Sequence, residues 1–318
     1  MSANIKISIA LAAYNGSHYI AGQLQSLLDQ TRIPDEIIIC DDSADDLTYE
    51  AVKPFLGDQR VKYHKNASPL GVTGNFEKAL SLTSGEIIFL SDQDDVWLPE
   101  KVDTLACALL NDPAVDGVFC DSSIVDENLL PQKRTLWQLR KFSDSMQKKV
   151  NSDRSLSVFL QRVTCSSHNI AFKRRALEYL LPFPELHPFY PDTFIALSIA
   201  AHSQWRAVPQ QLTLYRLHNS NESAPQSSAF TSGVRARSSR AALRNALLAG
   251  TIIERAQAKL PPEVYCQLQK FALFHQKRDR YSKNFLLRTL QVLIQAIKLN
   301  YWRFANNLRT MIADMIIK

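Results

Sequence analysis

Long apolar runs are missing from this sequence of 318 residues. The longest, such as Ile37–Cys40 and Ile87–Leu90, are far shorter than the roughly 20 residues that cross a bilayer, so we expect no membrane-spanning helix. The first residues, MSANIKISIA, contain one Lys, lack a small-residue cleavage site and lead directly into a predicted strand. We therefore expect no secretory signal and a cytoplasmic location.

Cysteine is scarce and never paired in the sequence. The five cysteines are scattered, odd in number and never in a C-x-x-C motif: Cys40, Cys107, Cys120, Cys165 and Cys266. This pattern argues against a disulfide framework and against a structural zinc site. We expect buried thiols.

Glycine is also low, at 9 residues, beside 14 Pro, 46% hydrophobic and 21% charged residues. This composition is typical of a globular protein with a sizeable apolar core, and it disfavours disorder or a fibrous repeat. The length suits two domains, or one α/β domain with an appendage. Neither G-x-x-x-x-G-K-[ST] nor G-x-G-x-x-G occurs, so neither a P-loop nor a dinucleotide fingerprint is present.

The net charge of +6 is unevenly distributed. Residues 231–318 contain 16 basic and 4 acidic residues, whereas residues 1–230 contain 21 basic and 27 acidic ones. Between the two parts, Asn219–Ser232 is rich in Ser, Asn and Pro and is predicted to be a linker. We therefore predict a catalytic domain over residues 1–230 and a basic helical domain over residues 231–318.

Strand and helix patterns alternate in the first domain. The predicted strands are Ile5–Ala12, Asp35–Cys40, Val61–His64, Glu86–Ser91 and Val115–Cys120, and the predicted helices are Ile20–Asp29, Asn75–Thr83 and Glu100–Asn111. This order predicts βαβ units and a mainly parallel sheet covered by helices on both faces. Ligands of such sheets bind just beyond the carboxyl ends of the strands.

Unusual polar residues follow three of these strands. Tyr14-Asn15-Gly16 follows the first strand, Asp41-Asp42 the second, and Ser91-Asp92-Gln93-Asp94-Asp95 the fourth. Acidic residues crowded in this way repel one another unless a cation lies among them, and Mg²⁺ or Mn²⁺ with oxygen ligands is the economical solution. Alternatively, Asp95 alone is the cap of a helix that begins at Pro99.

Gly71 and Gly74 precede the helix predicted to begin at Asn75. On composition alone, this short G-x-x-G segment predicts a simple turn.

Several motifs in order resemble a known family. AAYNGSHYIAGQLQSLLDQT, DEIIICDDS and GVTGNFEKALSLTSGEIIFLSDQDDVWLPEK resemble the amino-terminal half of family 2 glycosyltransferases with a GT-A fold. TCSSHNIAFKRRAL, YPDTFIALSIA and LYRLHNSN resemble the second half of bacterial polysaccharide-assembly members, especially the rhamnosyltransferase-like branch with its S-D-Q-D-D-x-W signature. The resemblance covers residues 5–221 and implies a GT-A fold, to which the basic region adds a C-terminal α-helical extension.

The resemblance implies a nucleotide site. Tyr14 would stack on a pyrimidine base, and Asn15 would shape that loop. Asp42, together with Asp41, would accept a hydrogen bond from the base or the ribose, and Asp92 would lie near the ribose. The remaining nucleotide contacts implied are Gly71, Asn75 and Gln93.

The resemblance also implies a metal and a substrate site. Asp94 and His218 would hold Mn²⁺ or Mg²⁺, which would neutralise the diphosphate leaving group. Without the resemblance, a His after an apolar strand is more often a satisfied surface or core residue. Asp95, Trp97 and Arg216 are the implied substrate contacts.

Asp192, in the segment PDTF, aligns with the family's general base. It would take the proton of an acceptor hydroxyl that attacks the anomeric carbon, and this direct displacement inverts the configuration. By position alone, Asp192 is a helix N-cap, because Pro191 precedes it and a helical pattern follows.

The sequence departs from the family pattern at three points. The acidic pair is followed by Ser43-Ala44-Asp45-Asp46 in place of a Gly-Ser turn, PDTF replaces His-Asp-x-Trp, and Thr164 replaces a Gly. None of these changes removes an expected metal ligand, nucleotide contact or base, so we expect an active enzyme with an altered acceptor pocket.

The basic region is predicted to be a series of helices from Val234 to Lys318. Apolar residues recur at helical spacing in this region: Phe285, Leu286, Leu290, Leu293, Ile294 and Ile297. Such a segment suits an anionic membrane surface, and a helical subdomain packed on the catalytic domain or another subunit is the alternative. Nucleic-acid binding is disfavoured because the basic residues follow no recognised module.

The leading hypothesis is an inverting, metal-dependent glycosyltransferase of bacterial surface polysaccharide synthesis, such as O-antigen or capsule. Its donor would be a UDP- or dTDP-sugar, carrying rhamnose or another hexose, and its acceptor an oligosaccharide or a polyprenyl-diphosphate-linked glycan. A peripheral position on the cytoplasmic face of the inner membrane would follow. The alternatives are a sugar-nucleotide nucleotidyltransferase, for which Ala13–Ser17 lacks a basic, Gly-rich loop, and a non-catalytic membrane scaffold.

Overall fold

The computed structural model describes residues 5–185, 191–218, 233–256, 259–281, 285–305 and 308–316. The predicted linker Asn219–Ser232 lies outside the described residues. Among those that are described, no helix combines the length and the apolarity needed to cross a membrane.

Nine strands form one sheet in the described chain, with the order β3-β2-β1-β4-β8-β6-β9-β5 and with β7 paired to β6. Their bounds are β1 Ile7–Ala13, β2 Glu36–Asp41, β3 Val61–Lys65, β4 Ile87–Ser91, β5 Val96–Trp97, β6 Val115–Val125, β7 Pro131–Thr135, β8 Ile170–Lys173 and β9 Gln204–Arg216. All five predicted strands are present, and β6 continues five residues beyond its predicted end at Cys120 because its second half still pairs with β9.

The first half of the sheet is parallel, as predicted, and the second half is mixed. Strand β1 pairs in parallel with β2 and β4, and β2 with β3, so their carboxyl ends meet at one edge. Beyond β4, strand β8 is antiparallel to both β4 and β6, while β9 runs parallel to β6. Strands β4, β6 and β9 therefore run in the same direction, and the carboxyl end of β9, at Arg216, lies at the same edge of the sheet as the carboxyl end of β4.

Helices cover both faces of this sheet. Their bounds are α1 Ile20–Leu28, α2 Leu47–Val52, α3 Gly71–Leu82, α4 Lys101–Leu110, α5 Leu136–Leu139, α6 Asp144–Lys149, α7 Ser155–Phe159, α8 Leu177–Leu180, α9 Pro191–His202, α10 Gly233–Ala256, α11 Pro262–Asp279, α12 Phe285–Ile297, α13 Asn300–Phe304 and α14 Leu308–Ile316. The three predicted helices of the first domain correspond to α1, α3 and α4.

Two local predictions are wrong. Helix α3 begins at Gly71, so Gly74 lies within the helix, and Gly71 takes a φ of +70° at the point where the chain turns into it. Asp95 caps no helix, because the short strand β5 follows it and α4 begins only at Lys101, with Glu100 at the N-cap.

Alternation along the strands builds two apolar clusters, one on each face. In β2, Ile37 and Ile39 pack with α1 and α4, whereas Ile38 and Cys40 pack on the other face with α3. Strands buried on both faces consist of continuous apolar runs, which explains the run Ile37–Cys40 in the sequence.

The second cluster extends into the C-terminal helices. Phe194 of α9 belongs to the same cluster as Leu248 of α10 and Phe271 of α11. The guanidinium of Arg255 lies 5.5 Å from the centre of the Phe194 ring, and its Nη1 donates to the carbonyl of Leu180 at 3.3 Å. The division into domains at residue 230 stays a prediction.

Phe119 is the aromatic centre of this second cluster, and it is fully buried. Its ring lies 5.5–6.0 Å from the rings of Trp137, Phe142, Phe159 and Trp205. We expect Phe119→Ala to lower the free energy of unfolding by about 3–5 kcal/mol, because the cavity cannot close among four rigid rings. Urea denaturation followed by circular dichroism measures this change, and Leu139→Ala, at an exposed position, should change it by less than about 0.5 kcal/mol.

Candidate active site

The loop after β1 presents an aromatic ring to solvent. Tyr14 is 56% exposed, and Asn15 adopts a φ of 50°, which turns the chain sharply. The backbone N–H of Asn15 donates to Ser43 Oγ at 2.8 Å, and that of Gly16 donates to Thr48 Oγ1 at 3.0 Å. The loop is therefore fixed from below while its tyrosine ring stays open on one side.

Gln93 joins this loop to the acidic loop after β4. Its Oε1 accepts from the backbone N–H of Tyr14 at 2.9 Å, and its Nε2 donates to the Tyr14 carbonyl at 2.8 Å. A Cβ on Gly16 would lie 2.1 Å from Gln93 Oε1, so a larger residue at that position would displace the Gln93 amide. Gln93 thus uses both ends of its amide to hold the Tyr14 loop.

The two acidic residues at the end of β2, Asp41 and Asp42, have different surroundings. Asp41 is fully buried; its Oδ1 accepts from Ser43 Oγ at 2.5 Å and its Oδ2 from the Tyr63 hydroxyl at 2.6 Å. Asp42 lies next along the chain and accepts from Asn66 Nδ2 at 2.5 Å and from the Leu70 N–H at 3.0 Å. Asp41 therefore supports the loop, and Asp42 ties it to the segment that leads into α3.

Asn75, on the first turns of α3, holds the ends of two strands together. Its Nδ2 donates to the carbonyls of Ala13 and Cys40, each at 2.9 Å, and its Oδ1 accepts from Asn66. Only 2% of this residue is exposed. Its position favours a supporting role for Asn75 beneath the expected nucleotide site.

The carboxylates after β4 point to different partners. Asp92 accepts from the hydroxyl of Ser167 at 2.9 and 3.1 Å. Asp94 Oδ2 lies 2.8 Å from His218 Nε2, which stands two residues beyond the end of β9. The structure thus brings together Asp94 and His218, the pair expected to hold a metal ion, across 124 residues of sequence.

Asp95 lies deeper and is fully buried. Its Oδ1 accepts from the backbone N–H of Arg216 at 3.0 Å, while its Oδ2 has no hydrogen-bond partner within the described chain. The Nδ1 of buried His168 lies 3.7 Å from Oδ2 of both Asp92 and Asp95. Asp92, Asp95 and His168 therefore form a second group of donors that could hold a cation.

The proximity of these carboxylates changes their acidity. Burial, and then the charge of Asp92, raise the pKa of Asp94, and the pKa of Asp95 is raised well above its ordinary value by burial and by both neighbouring carboxylates. The pKa of His168 is lowered by burial, which favours the neutral ring. A divalent cation would reverse the effect on the carboxylates, because it stabilises their charged forms.

A buried cation lies behind the acidic loop. Lys101 is fully buried, and its Nζ donates to the His168 carbonyl at 2.6 Å and to Thr213 Oγ1 at 2.8 Å. Nζ also lies 3.6 Å from the centre of the Trp97 ring. Burial lowers the pKa of Lys101 to about 8, while the charges of Asp95 and Asp92 oppose the shift, so the charged form and the acidic loop stabilise each other.

Asp192 lies in the first turn of α9 and is partly exposed. Burial raises the pKa of this carboxyl, and the positive charge of Arg140 is the main opposing influence. Arg140 is itself held by the carbonyls of Thr164 and Cys165, to which its Nη1 donates at 3.1 and 2.9 Å. A carboxyl with a raised pKa is a stronger base than an ordinary one, which suits a proton acceptor.

The three expected substrate contacts lie behind the surface of the cleft. Trp97 is 2% exposed and packs in the apolar cluster with Phe89, and Asp95 is fully buried. Arg216 is 7% exposed; its Nε donates to the Asp94 carbonyl at 2.8 Å and its Nη1 to the Glu127 carbonyl at 2.6 Å. In this structure Arg216 and Asp95 Oδ1 bond within the protein, and the Trp97 ring packs in its core, whereas Asp95 Oδ2 has no partner in the described chain. Their role as substrate contacts stays a prediction.

The residues present fit a divalent metal ion. Buried carboxylates with raised pKa values, an imidazole beside Asp94 and an unpartnered carboxylate oxygen on Asp95 form a donor set that suits Mn²⁺ or Mg²⁺. Two groups of donors are therefore available: the pair Asp94 and His218, which the family resemblance implies, and Asp92 with Asp95 and His168.

Four residues at this site were not singled out from the sequence. Ser167 and His168 lie inside the segment TCSSHNIAF, whose polar centre was the available signal. Lys101 and Arg140 are isolated basic residues, and the sequence around them does not indicate a role in the site, since only the fold brings them near the carboxylates.

Comparison with known proteins supports this picture. The sequence model described as glycosyl transferase family 2 matches residues 8–181. WfgD of Escherichia coli, a UDP-Glc:alpha-D-GlcNAc-diphosphoundecaprenol beta-1,3-glucosyltransferase, is 33% identical over 140 residues, which are 42% of this chain and 55% of that protein. An uncharacterized glycosyltransferase of Nostoc sp. is 27% identical over 232 residues, or 71% of this chain and 69% of that protein. The chain thus spans about half the length of WfgD.

Solved structures share the fold. TarS of S. aureus, residues 1–349 in complex with UDP, has a TM-score of 0.57 at 17% identity and covers 98% of this chain and 81% of that one. The mannosyltransferase PcManGT of Pyrobaculum calidifontis, in complex with GDP-Man and Mn²⁺, has a TM-score of 0.55 at 20% identity, with 99% and 87% covered. At these identities the likeness concerns the fold, and it confirms the predicted GT-A class.

The metal site can be tested without any substrate. We expect Asp94→Asn to weaken Mn²⁺ binding by at least about tenfold, because it removes one charged ligand. Titration of Mn²⁺ followed by electron paramagnetic resonance measures this affinity. Asp144→Asn, an exposed position on α6, is the matched control. Unchanged Mn²⁺ affinity in the Asp94 variant would remove Asp94 from the metal site.

Proposed function

The chain belongs to glycosyl transferase family 2, and from this premise we propose that it is an inverting, metal-dependent glycosyltransferase. Its donor is a UDP- or dTDP-sugar that carries rhamnose or another hexose. Its acceptor is a hydroxyl of a polysaccharide or of a polyprenyl-diphosphate-linked oligosaccharide, in bacterial surface polysaccharide synthesis. The name of WfgD, which includes a UDP-sugar and a diphosphoundecaprenol, supports both assignments.

One observation carries the proposal: the open ring of Tyr14 and the pair of Asp94 and His218 stand at the same edge of the sheet, joined through Gln93. A nucleoside diphosphate has an aromatic base at one end and a charged diphosphate at the other. Stacking on Tyr14 suits the base, and the acidic loop with its cation suits the diphosphate.

In this proposal some residues of the nucleotide site contact the nucleotide and others hold the loops in place. Tyr14 stacks on the base and Asp42 accepts from the base or the ribose, while Asp92 lies near the ribose. Asp41, Asn75 and Gln93 hold the loops that carry these contacts, since their polar atoms bond within the protein. Gly71 allows the chain to turn into α3 beside Asp42.

Asp94 and His218 would hold the metal ion, and the ion would supply positive charge to a diphosphate leaving group. Asp92 and the supports Asp95 and Arg216 fix the position of Asp94 in the loop. Because these groups are set before the ligand arrives, little reorganisation is needed during the reaction.

Asp192 takes the proton of the acceptor hydroxyl as its oxygen attacks the anomeric carbon. The bond to the diphosphate breaks on the opposite side, so the configuration at that carbon inverts. Arg140 acts as a positioning residue: it anchors the segment at Thr164 and Cys165, and its charge opposes the rise in the pKa of Asp192. An acceptor carried by a polyprenyl diphosphate places the enzyme at the cytoplasmic face of the inner membrane.

The proposal is tested by separating donor binding from transfer. We expect Asp192→Asn to bind UDP in the presence of Mn²⁺ as the unchanged protein does, but to lose about 10²–10⁴-fold in transfer rate, because the amide cannot accept the proton. Calorimetry with UDP or dTDP, with Mn²⁺ or with EDTA, measures binding. Release of nucleotide from a panel of UDP- and dTDP-sugars measures turnover.

Two outcomes would contradict the proposal. Full turnover of Asp192→Asn would exclude Asp192 as the base. Absence of metal-dependent binding of any nucleotide by the unchanged protein would contradict the enzyme assignment as a whole.

The pH profile reports on Arg140. Arg140→Met removes the largest influence that opposes burial, so the pKa of Asp192 rises further and a higher pH is needed to ionise the base. We expect the acidic limb of kcat/KM to move to higher pH in this variant, with activity lost first at low pH. Arg140→Lys, which keeps the charge, should restore the position of the limb. Equal displacement in both variants would mean that Arg140 acts only as an anchor.

A further inference from the structure

Helix α12 buries polar side chains and exposes apolar ones, which is the reverse of an ordinary surface helix. Its inward face carries Arg288, Val292 and Gln295, which are 3%, 0% and 6% exposed and lie at spacings of four and three residues. Surface helices of water-soluble proteins bury their apolar residues and expose their polar ones. In α12 two of the three inward residues are polar.

The outward face is apolar at the complementary spacing. Leu290, Leu293, Ile294 and Ile297 recur at i, i+3, i+4 and i+7 and are 56%, 43%, 41% and 80% exposed. The surface continues beyond the helix through Leu299 and Trp302, at 52% and 46%. We call these six residues the apolar ridge. Contiguous apolar surface of this kind marks a site of contact with a protein or a membrane.

The inward polar residues have partners, so the orientation of α12 is held in place. Arg288 Nε donates to the carbonyl of Met315 on α14 at 2.9 Å, and Gln295 Oε1 accepts from Asn300 Nδ2 at 2.8 Å. Rotating α12 to bury its leucines would break these bonds and expose Val292. The apolar ridge therefore stays on the surface of the folded chain.

The exposed charges described within residues 285–316 are of one sign. Lys298 and Arg303 are exposed at the border of the ridge. The one carboxylate of the sequence between residues 285 and 316 is Asp314, which is 5% exposed and bonded to Arg278 at 2.6 Å and to Tyr301 at 2.8 Å. Among the described residues of 285–316, the ridge thus presents apolar side chains with basic residues beside them and no exposed carboxylate.

This charge pattern distinguishes between two occupants. A second copy of the chain would place this ridge against the same ridge, so Lys298 and Arg303 would meet a surface whose exposed charges within residues 285–316 are also basic. An anionic lipid surface offers negative headgroups to these residues and an apolar interior to the leucines. A tryptophan at the edge of the ridge suits the headgroup region, where one end of an indole is apolar and the other is wet.

We propose that the apolar ridge is a docking surface for an anionic lipid bilayer, with α12 lying in the plane of the membrane. Leu290, Leu293, Ile294 and Ile297 enter the boundary between headgroups and acyl chains, and Lys298 and Arg303 contact lipid phosphates. The inference rests on the proposed function only in that a lipid-linked acceptor would lie in the same membrane. It makes the ridge the part of the enzyme that meets its acceptor's leaflet.

Trp302 provides a direct readout in the full chain. The sequence contains four tryptophans, and the other three, Trp97, Trp137 and Trp205, are only 1–3% exposed. On addition of vesicles of phosphatidylcholine with phosphatidylglycerol, we expect the emission of Trp302 to shift to the blue and to be quenched by brominated acyl chains. Vesicles of phosphatidylcholine alone should bind more weakly, and salt should weaken binding to the anionic ones.

Variants test the assignment to the ridge. The double variant Ile294→Glu with Ile297→Glu should lose at least about tenfold in affinity for the anionic vesicles, measured by co-sedimentation. The matched control, Ile33→Glu with Leu139→Glu, changes two exposed apolar residues outside the ridge and should bind as the unchanged chain does. Circular dichroism and metal-dependent UDP binding, measured on the same samples, show whether each variant is folded.

Three results would overturn the proposal. These are absence of binding to anionic vesicles, equal binding by the ridge variant, or a dimer in solution that dissociates in the ridge variant, which would identify a second copy as the occupant. Each leaves the proposed function standing when UDP still binds with Mn²⁺. If the unchanged chain does not bind UDP with Mn²⁺, the proposed function is contradicted, and the result with vesicles still stands.

Discussion

Electrostatic repulsion among the three carboxylates after β4 is the constraint on which the rest of the site depends. Asp92, Asp94 and Asp95 lie within four residues at the end of a buried strand, where water cannot screen them well. Neighbouring groups offset this negative charge. Ser167 donates to Asp92, His218 lies against Asp94, and the buried cation of Lys101 lies behind the loop. A divalent ion at the cleft would complete this compensation.

The site is built in layers, and the layers have different tasks. Tyr14 is exposed and Asp94 and Asp192 are partly exposed, whereas Asp95, Trp97 and Arg216 are buried. Asn75 and Asp41 form a support under the Tyr14 loop. The outer groups are therefore presented on a rigid frame, which suits a reaction that depends on fixed charges and short distances.

The sequence allowed the strands, the main helices and the neighbourhood of the site to be predicted, because these depend on local periodicity and on the rule that polar residues gather at strand ends. The sequence did not show which residues of the acidic motif are buried and which are exposed. Trp97 and Asp95 stand in the same motif as Asp94, and only the packing of the short strand β5 on β9 shows that they are buried. Lys101 reaches partners 67 and 112 residues away, and no pattern near Lys101 announces either contact.

The amide of Gln93 has a consequence for how a ligand is held. By bonding both backbone groups of Tyr14, it makes the first and fourth strand loops a single mechanical unit with one spacing between the exposed ring and the carboxylates. An elongated ligand that contacts both loops must therefore match this fixed distance. Molecules of the wrong length are then rejected by geometry before any chemical group is recognised.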